Sequence, residues 1–452
     1  MSFETLENLS IKLIDGDRGK NYPKQSDFFD KSDCLFLSAK NVTKNGFEFA
    51  DCLYISKEKD EQLRAGKLER NDIVLTTRGT IGNSGLYDSS ININNVRINS
   101  GMIILRPDTS IWNPRFLYFL LNSDLVEKQI LALTSGSAVP QLPARDLRKF
   151  ILPKVPLGKQ NKIVEVIGGI VDKAKSNSAI NQTLEQMAQA LFKSWFVDFE
   201  PVKAKIAVLE AGGSQEDATL AAMTVISGKD ADALAVFERE HPEQYAELKT
   251  TSELFPSAMQ DSELGDIPEG WNSQRLSNIA TLHYGKALKK TERIEGPYSV
   301  YGSGGITGSH NSYLVEGPSI IVGRKGSIGT LYWEDGKFHP IDTVYYVSNK
   351  DGVPLSYLYY LMKTLDLSSM NTDAAVPGLN RDNVYRLEVL KPIQSILNKF
   401  NNHISAIRNM IQKNNFSTAT LTTLRDTLLP KLLSGEITLP EAEQAVSEAE
   451  NV

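Results

Sequence analysis

Residues 161–195 read NKIVEVIGGIVDKAKSNSAINQTLEQMAQALFKSW, and residues 398–432 read NKFNNHISAIRNMIQKNNFSTATLTTLRDTLLPKL. The two stretches stand 237 residues apart and repeat one helical pattern. Ile163, Ile167, Ile170, Ala174, Asn177, Asn181, Leu184, Ala188, Leu191 and Trp195 fall at alternating spacings of three and four. Their counterparts are Phe400, Ile404, Ile407, Ile411, Asn414, Thr418, Leu421, Arg425, Leu428 and Leu432. Only Ala188/Arg425 disagrees in polarity, and the polar break recurs at the same turn of both copies. Such spacing over five heptads predicts a long helix packed on another helix. At 1.5 Å per residue, a continuous helix of about 40 residues is a rod of roughly 60 Å. Two rods with matching seams bury those seams on each other in an antiparallel pair. That arrangement sets two heads at opposite ends about a pseudo-two-fold axis. Asn at mid-seam then fixes the register at some cost in stability.

Upstream, the repeat continues. Ala138-Val139-Pro140 answers Ala375-Val376-Pro377 at the same spacing, and Gly79-Thr80-Ile81-Gly82 answers Gly326-Ser327-Ile328-Gly329 at 247. The slip of ten residues is what insertions in surface loops produce. Each copy therefore runs from a variable head, through a Gly-x-Ile-Gly loop and an Ala-Val-Pro turn, into a rod. Short β-branched and aromatic runs (CLFLSAKNV, DIVLTT, MIILRP; SIIVGRKG, TVYYV) followed by aromatic helices (NPRFLYFLLNSDL, PLSYLYYLMKTLDL) make each head mixed α/β. The expected organisation is a first head at 1–155, then a rod with an acidic helical connector at 156–270. A second head at 271–390, a second rod at 391–440 and a frayed acidic tail at 441–452 complete the chain.

Charge is distributed unevenly. The net −6 of the 452 residues comes almost wholly from residues 200–270, which carry fifteen acidic and five basic side chains. Both heads are near neutral and hold local basic clusters, so the overall acidity does not exclude a nucleic-acid partner. Two cysteines, Cys34 and Cys52, make neither a disulfide framework nor a cysteine-rich metal site, and point to a reducing cytoplasm. No secretory signal pattern and no membrane-spanning apolar run is read from the sequence.

Several loops are candidates for contact. TTRGTIGNSG and VGRKGSIGTL bring small flexible residues beside Arg78, Arg324 and Lys325, with Gly79, Thr80, Gly326 and Ser327 suited to phosphate oxygens or to a tight turn. DGDRGKNYPK carries Arg18, Lys20 and Lys24, as a basic loop or a solvated turn. YGSGGITGSHN offers Tyr301, Ser303, Thr307 and His310 to a ligand; it lacks the spacing and following helix of a dinucleotide fingerprint. Phe192, Trp195, Phe196 and Phe199 form an apolar cluster, either core or a surface for a partner protein. No nucleotide-binding, zinc-protease or paired-cysteine motif occurs, and five histidines are scattered without ligand spacing, so neither catalytic nor metal-ligating residues are assigned.

Together, LFKSWFVDFEPVKAK closing the first rod, ELGDIPEGW opening the second head, the Gly-x-Ile-Gly loop in each head and LRDTLLPKLLSGEI closing the second rod resemble the specificity (S) subunits of type I restriction–modification enzymes. The resemblance covers nearly the whole chain. It implies an α+β fold with two similar target-recognition domains joined by two long antiparallel helices. It also implies a non-catalytic chain that reads a split, asymmetric double-stranded DNA site, one half per head. The helices would set the spacer and dock two methyltransferase (M) subunits, with restriction (R) subunits joining the complex. S-adenosylmethionine, ATP and Mg would sit on those partners, and none on this chain. The basic loop, the Gly-x-Ile-Gly loops with Arg78, Arg324 and Lys325, and the loop with Tyr301, Ser303, Thr307 and His310 are the expected DNA contacts, and the Phe192–Phe199 cluster the expected partner contact. Two other classes stay open: a coiled-coil scaffold that binds protein without reading DNA, and a nucleotide-using enzyme built on the Gly302–Gly308 loop.

Overall fold

The computed structural model describes residues 2–44, 46–133, 141–371 and 378–450. The two Ala-Val-Pro turns lie outside the described residues. The chain divides into two compact units, Met1–Ser178 with Asn415–Val452, and Ala179–Asn414. The division cuts both rods, because each rod buries its apolar positions on whichever head it adjoins.

In the first unit, the strands Ile11–Asp15, Met102–Pro107, Asp72–Thr76 and Ser84–Tyr87 pair in that order as an antiparallel sheet. Asp72–Thr76 is buried throughout, which the apolar core of DIVLT permits. A smaller sheet packs beside it, where Cys34–Leu37 pairs parallel with Val96–Ile98 and antiparallel with Tyr54–Ile55. The helix Pro114–Leu121, capped by the Asn113 carboxamide accepting from the Arg115 and Phe116 amides, covers the main sheet with Phe116, Leu117 and Leu120. The terminal strands Ser2–Thr5 and Ile151–Lys154 pair and close the head where the first rod begins.

The second unit repeats the plan. Ala280–Tyr284, Val344–Asn349, Ser319–Gly323 and Leu331–Glu334 form the main antiparallel sheet in the same order. Tyr298–Gly302 pairs parallel with Lys337–Pro340 in the smaller sheet, and Asn272–Arg275 pairs with Glu388–Lys391 to close the head. Leu355–Thr364 is the covering helix.

The rods are single helices, Leu157–Phe196 and Gln394–Ser434. In the first unit Ile163, Ile167 and Ile170 share a core with Leu421, Leu428 and Leu432. In the second, Ala188, Phe192 and Trp195 share one with Phe400 and Ile404. Numbers rise along one rod as they fall along the other, so the segments run antiparallel in each unit. The polar break packs as expected: Asn177 Nδ2 donates to Ser417 Oγ at 3.2 Å in the first unit, and Asn414 Nδ2 to Asn181 Oδ1 at 2.8 Å in the second.

The connector is four helices, Glu200–Glu210, Gln215–Ser227, Ala231–Glu240 and Pro242–Glu253, pinned by a buried lysine. Lys205 Nζ donates to the Ser252 and Phe255 carbonyls at 3.2 and 2.6 Å, and burial lowers its pKa. The described part of the acidic tail is not frayed: Leu439–Glu450 is a helix whose Ala442 is buried in the first unit's core, with Ala445 and Val446 against it. Its alanines and valine recur on one face, and that face outweighs the charge of the other.

Candidate nucleic-acid interface

The two Gly-x-Ile-Gly loops are built alike, each between the third and fourth strands of its main sheet. In the first unit the amides of Thr77 and Arg78 donate to the Gly101 carbonyl at 2.8 and 3.2 Å, and Leu142 N donates back to Thr77 O at 3.0 Å. In the second, the amides of Arg324 and Lys325 donate to the Thr343 carbonyl at 2.9 and 3.1 Å, and Leu379 N donates to Arg324 O at 2.8 Å. Gly79, Gly82, Gly326 and Gly329 have φ of 76°, 92°, 84° and 71°, so the loop turns twice through backbone that favours glycine.

This frame makes Lys325, not Arg324, the counterpart of Arg78. Arg78, Gly79, Thr80, Lys325, Gly326 and Ser327 are exposed. Among the described residues, neither the Arg78 nor the Lys325 side chain has an ion-pair partner. Arg324 is engaged: its guanidinium lies 4.8 Å from the Tyr284 ring centroid and donates to Asp342 O at 3.1 Å.

A second loop flanks the first in each unit. Gly16 and Gly285 each follow the first strand of the main sheet, and a Cβ on either would stand 2.1 Å from a backbone carbonyl, of Asn99 or Ile341. Those carbonyls belong to the turns that also receive the Arg78 and Lys325 amides. One turn thus ties both loops together. The loop of the first unit carries the exposed Arg18, Lys20 and Lys24 and ends in the 3-10 turn Gln25–Asp27, where Asp27 Oδ2 accepts from Lys24 N at 2.8 Å. That of the second ends in Lys290–Glu292, where Glu292 Oε2 accepts from Lys289 N at 3.2 Å. Lys289 is therefore the counterpart of Lys24. Lys286, Lys289 and Lys290, exposed on this loop, were missed by sequence reasoning. The signal was present, since Lys286, Lys289, Lys290 and Arg293 fall within eight residues, but the loop stands 265 residues from its counterpart, outside the 237 and 247 spacings.

Different groups brace the two basic loops. In the first unit the Asp17 carboxylate accepts from the Gly19 and Arg64 amides, each at 2.7 Å, and these bonds hold its pKa below the usual range. Arg18 is partly neutralised by Asp15 at 3.0 Å. Beneath the loop, buried Asp60 bonds Lys67 and Arg97, and Arg97 also donates to Ala65 O at 2.7 Å and Leu63 O at 3.2 Å. Burial pushes the Asp60 pKa up, but hydrogen bonds from Lys67, Arg97 and Asn95 outweigh it and leave the group at about 2.

In the second unit the stretch Tyr301–His310 corrects part of the expected contact set. Tyr301 and His310 are only 6% and 8% exposed. Tyr301 packs on Ile321 and Phe338 and donates to Glu334 Oε2 at 2.8 Å; His310 Nδ1 accepts from Ile294 N at 3.1 Å. Side chains so enclosed brace loops and do not reach a ligand. Ser303 is half-buried under the Gly-Ser-Ile-Gly loop, its carbonyl accepting from Thr330 Oγ1 at 2.6 Å, whereas Thr307 is exposed.

The aromatic cluster is also corrected. Phe192, Trp195 and Phe196 lie in the core of the second unit at 3%, 0% and 5% exposure. The Phe192 ring is 5.5 Å from Tyr357, Trp195 is 5.1 Å from Phe255, and Phe196 is 5.0 Å from Phe400. Surfaces already covered by the head and the second rod offer nothing to a partner. Phe199 is half-buried, 5.9 Å from Trp271.

Among the described residues no group of three or more His, Cys, Asp or Glu side chains is arranged to hold a metal ion, and no helix is long and apolar enough to cross a membrane.

The model of the type I restriction modification DNA specificity domain matches residues 11–186 and 268–415. The chain is 29% identical over 454 residues to the type I restriction enzyme HindI specificity subunit of Haemophilus influenzae, across 93% of this chain and 98% of that one. It is 22% identical over 406 residues to the MjaIX specificity subunit of Methanocaldococcus jannaschii, across 82% and 79%. Among solved structures, the type I S subunit from M. genitalium aligns over 95% of both chains with a TM-score of 0.47 and 16% identity.

Proposed function

The chain belongs to the type I restriction modification DNA specificity family, and from that premise we propose that each head reads one half of a bipartite, asymmetric DNA site. The observation that carries this reading is the frame built twice over. In each unit one turn ties a Gly-x-Ile-Gly loop, with an exposed cation that has no ion-pair partner among the described residues, to a second loop rich in lysine or arginine. Arg78 and Lys325 at the same place in the frame suit contacts common to both halves, such as phosphates, which position without reading sequence. The flanking loops differ in length and composition, which suits two different half-sites read at base edges in the major groove.

Rod length would fix the spacer between the half-sites, and rod surface would dock two methyltransferase subunits. Restriction subunits would complete the assembly. Chemistry belongs to those partners, with S-adenosylmethionine on the methyltransferases and ATP with Mg on the restriction subunits; this chain selects the address. Near-neutral heads leave much of the phosphate affinity to the partners.

Selection from a random duplex pool by the chain assembled with its methyltransferase tests the reading. Two short blocks at one fixed separation are expected. A pool that stays unenriched on a well-assembled complex would instead fit a scaffold that does not read DNA.

A further inference from the structure

The basic loop of the second head is held at both ends by histidines. At its start, His339 Nε2 faces the Lys286 carbonyl at 3.3 Å, beside the bond from Lys286 N to Pro340 O at 2.9 Å. At its end, His310 Nδ1 accepts the Ile294 amide at 3.1 Å, and Arg293 Nη1 donates to Thr307 O at 2.7 Å. The two imidazoles meet edge to face, 5.9 Å between centroids, and each is 8% exposed.

These contacts specify the protonation state. A carbonyl partner requires a proton on His339 Nε2, so in the neutral ring Nδ1 is bare; that atom is buried and meets no hydrogen-bond partner among the described residues. A second proton would place a charged N–H there with nothing to accept it, which is costly. His310 holds the far end of the loop, its Nδ1 accepting the Ile294 N–H. The charged groups facing the pair are Lys286 and Arg293 on the loop, and Tyr298 stands opposite His310 across the hairpin. Burial, with His310, Lys286 and Arg293, keeps the His339 pKa below its ordinary 6.5, against the pull of the Lys286 carbonyl. A depressed imidazole contributes docking that is complete above that ordinary value and is lost as pH falls below it.

The first head has no such device. Its parallel strand pair, Phe36 opposite Arg97, matches Val300 opposite His339 in the second, so Arg97 stands where His339 does. Arg97 keeps its charge at every relevant pH, and its partner Asp60 titrates only near 2.

We propose that His310 and His339 are positioning residues that dock the Lys286–Lys290 loop, His339 in its neutral form, making half-site reading by the second head proton-sensitive while the first head is not. The consequence for DNA rests on the function proposed above; the docking itself does not.

Hydrogen exchange on the full chain tests docking without DNA. Corrected for intrinsic rates, protection across residues 285–297 should fall about tenfold between pH 7.5 and 5.5, with residues 16–27 unchanged in the same samples. The double variant His310→Asn with His339→Gln keeps an acceptor and a donor at the matching positions without titrating near neutrality. It should hold the loop at both pH values. Equal protection of the wild-type loop at both pH values overturns the proposal, and so does an acid loss that persists in the double variant. On duplexes carrying the selected site with either half scrambled, acid should abolish discrimination at the second half alone. A chain whose loop responds to pH but which discriminates neither half at any pH overturns the DNA reading and leaves the docking in place.

Discussion

Asn414 donates its side-chain amide to the carboxamide oxygen of Asn181 at 2.8 Å, joining the two rods at the polar break of their seam. A slip by one helical turn would break this bond and set one of the two amides against Ile411 or Leu184, so the pair favours the observed register.

Replacing Asn414 removes one hydrogen bond between two half-buried side chains. Asn414→Ala should therefore cost about 1 kcal/mol, read as a lower urea midpoint of the full chain. Asn181→Leu with Asn414→Leu should recover that loss, because two apolar groups meet. A single variant as stable as wild type would show the pair to be idle.

Trp195 is fully buried among Phe196, Phe255 and Phe400. Truncation to Ala removes a large core side chain, and should cost about 3–5 kcal/mol and lower the melting temperature of the isolated chain. A surface role would instead leave the melt unchanged and weaken only assembly.

Arg78→Ala and Lys325→Ala, measured singly in the assembled enzyme on its selected site, should each weaken binding and reduce the salt slope by about one. Sequence preference should stay the same in both. An unchanged affinity for Arg78→Ala would remove that residue from the interface.

The rods, their antiparallel pairing, the polar break and the Gly-x-Ile-Gly loops were all legible, because heptad spacing and small-residue motifs survive duplication. What escaped was set by tertiary cover. Phe192 and Trp195 show their apolarity in the sequence but not that Tyr357, Phe255 and Phe400 close over them. Tyr301 and His310 look like ligand contacts in a polar glycine-rich loop until the parallel strand pair encloses them. Lys289 escaped because loops of unequal length hid its match to Lys24. The equivalence of Arg97 and His339 lies in strand register, which residue identity does not record.

Asp60 predicts a pH dependence confined to the acid range. Its folded pKa of about 2 lies below the ordinary 3.8, so its contribution is complete above the latter and fades as pH falls toward the former. Asp60→Asn should destabilise the first unit most at pH 7, and the gap between variant and wild-type melts should narrow by pH 3. A gap of equal size at both would place the effect outside the ionised carboxylate.

Methylation mapping by single-molecule sequencing of a plasmid from cells carrying this chain with its neighbouring methyltransferase tests two-headed DNA reading most directly. A split motif of two unlike halves at one fixed spacing, modified only when this chain is present, is the predicted result. Methylation unchanged by the chain, with the complex shown to assemble, would contradict it.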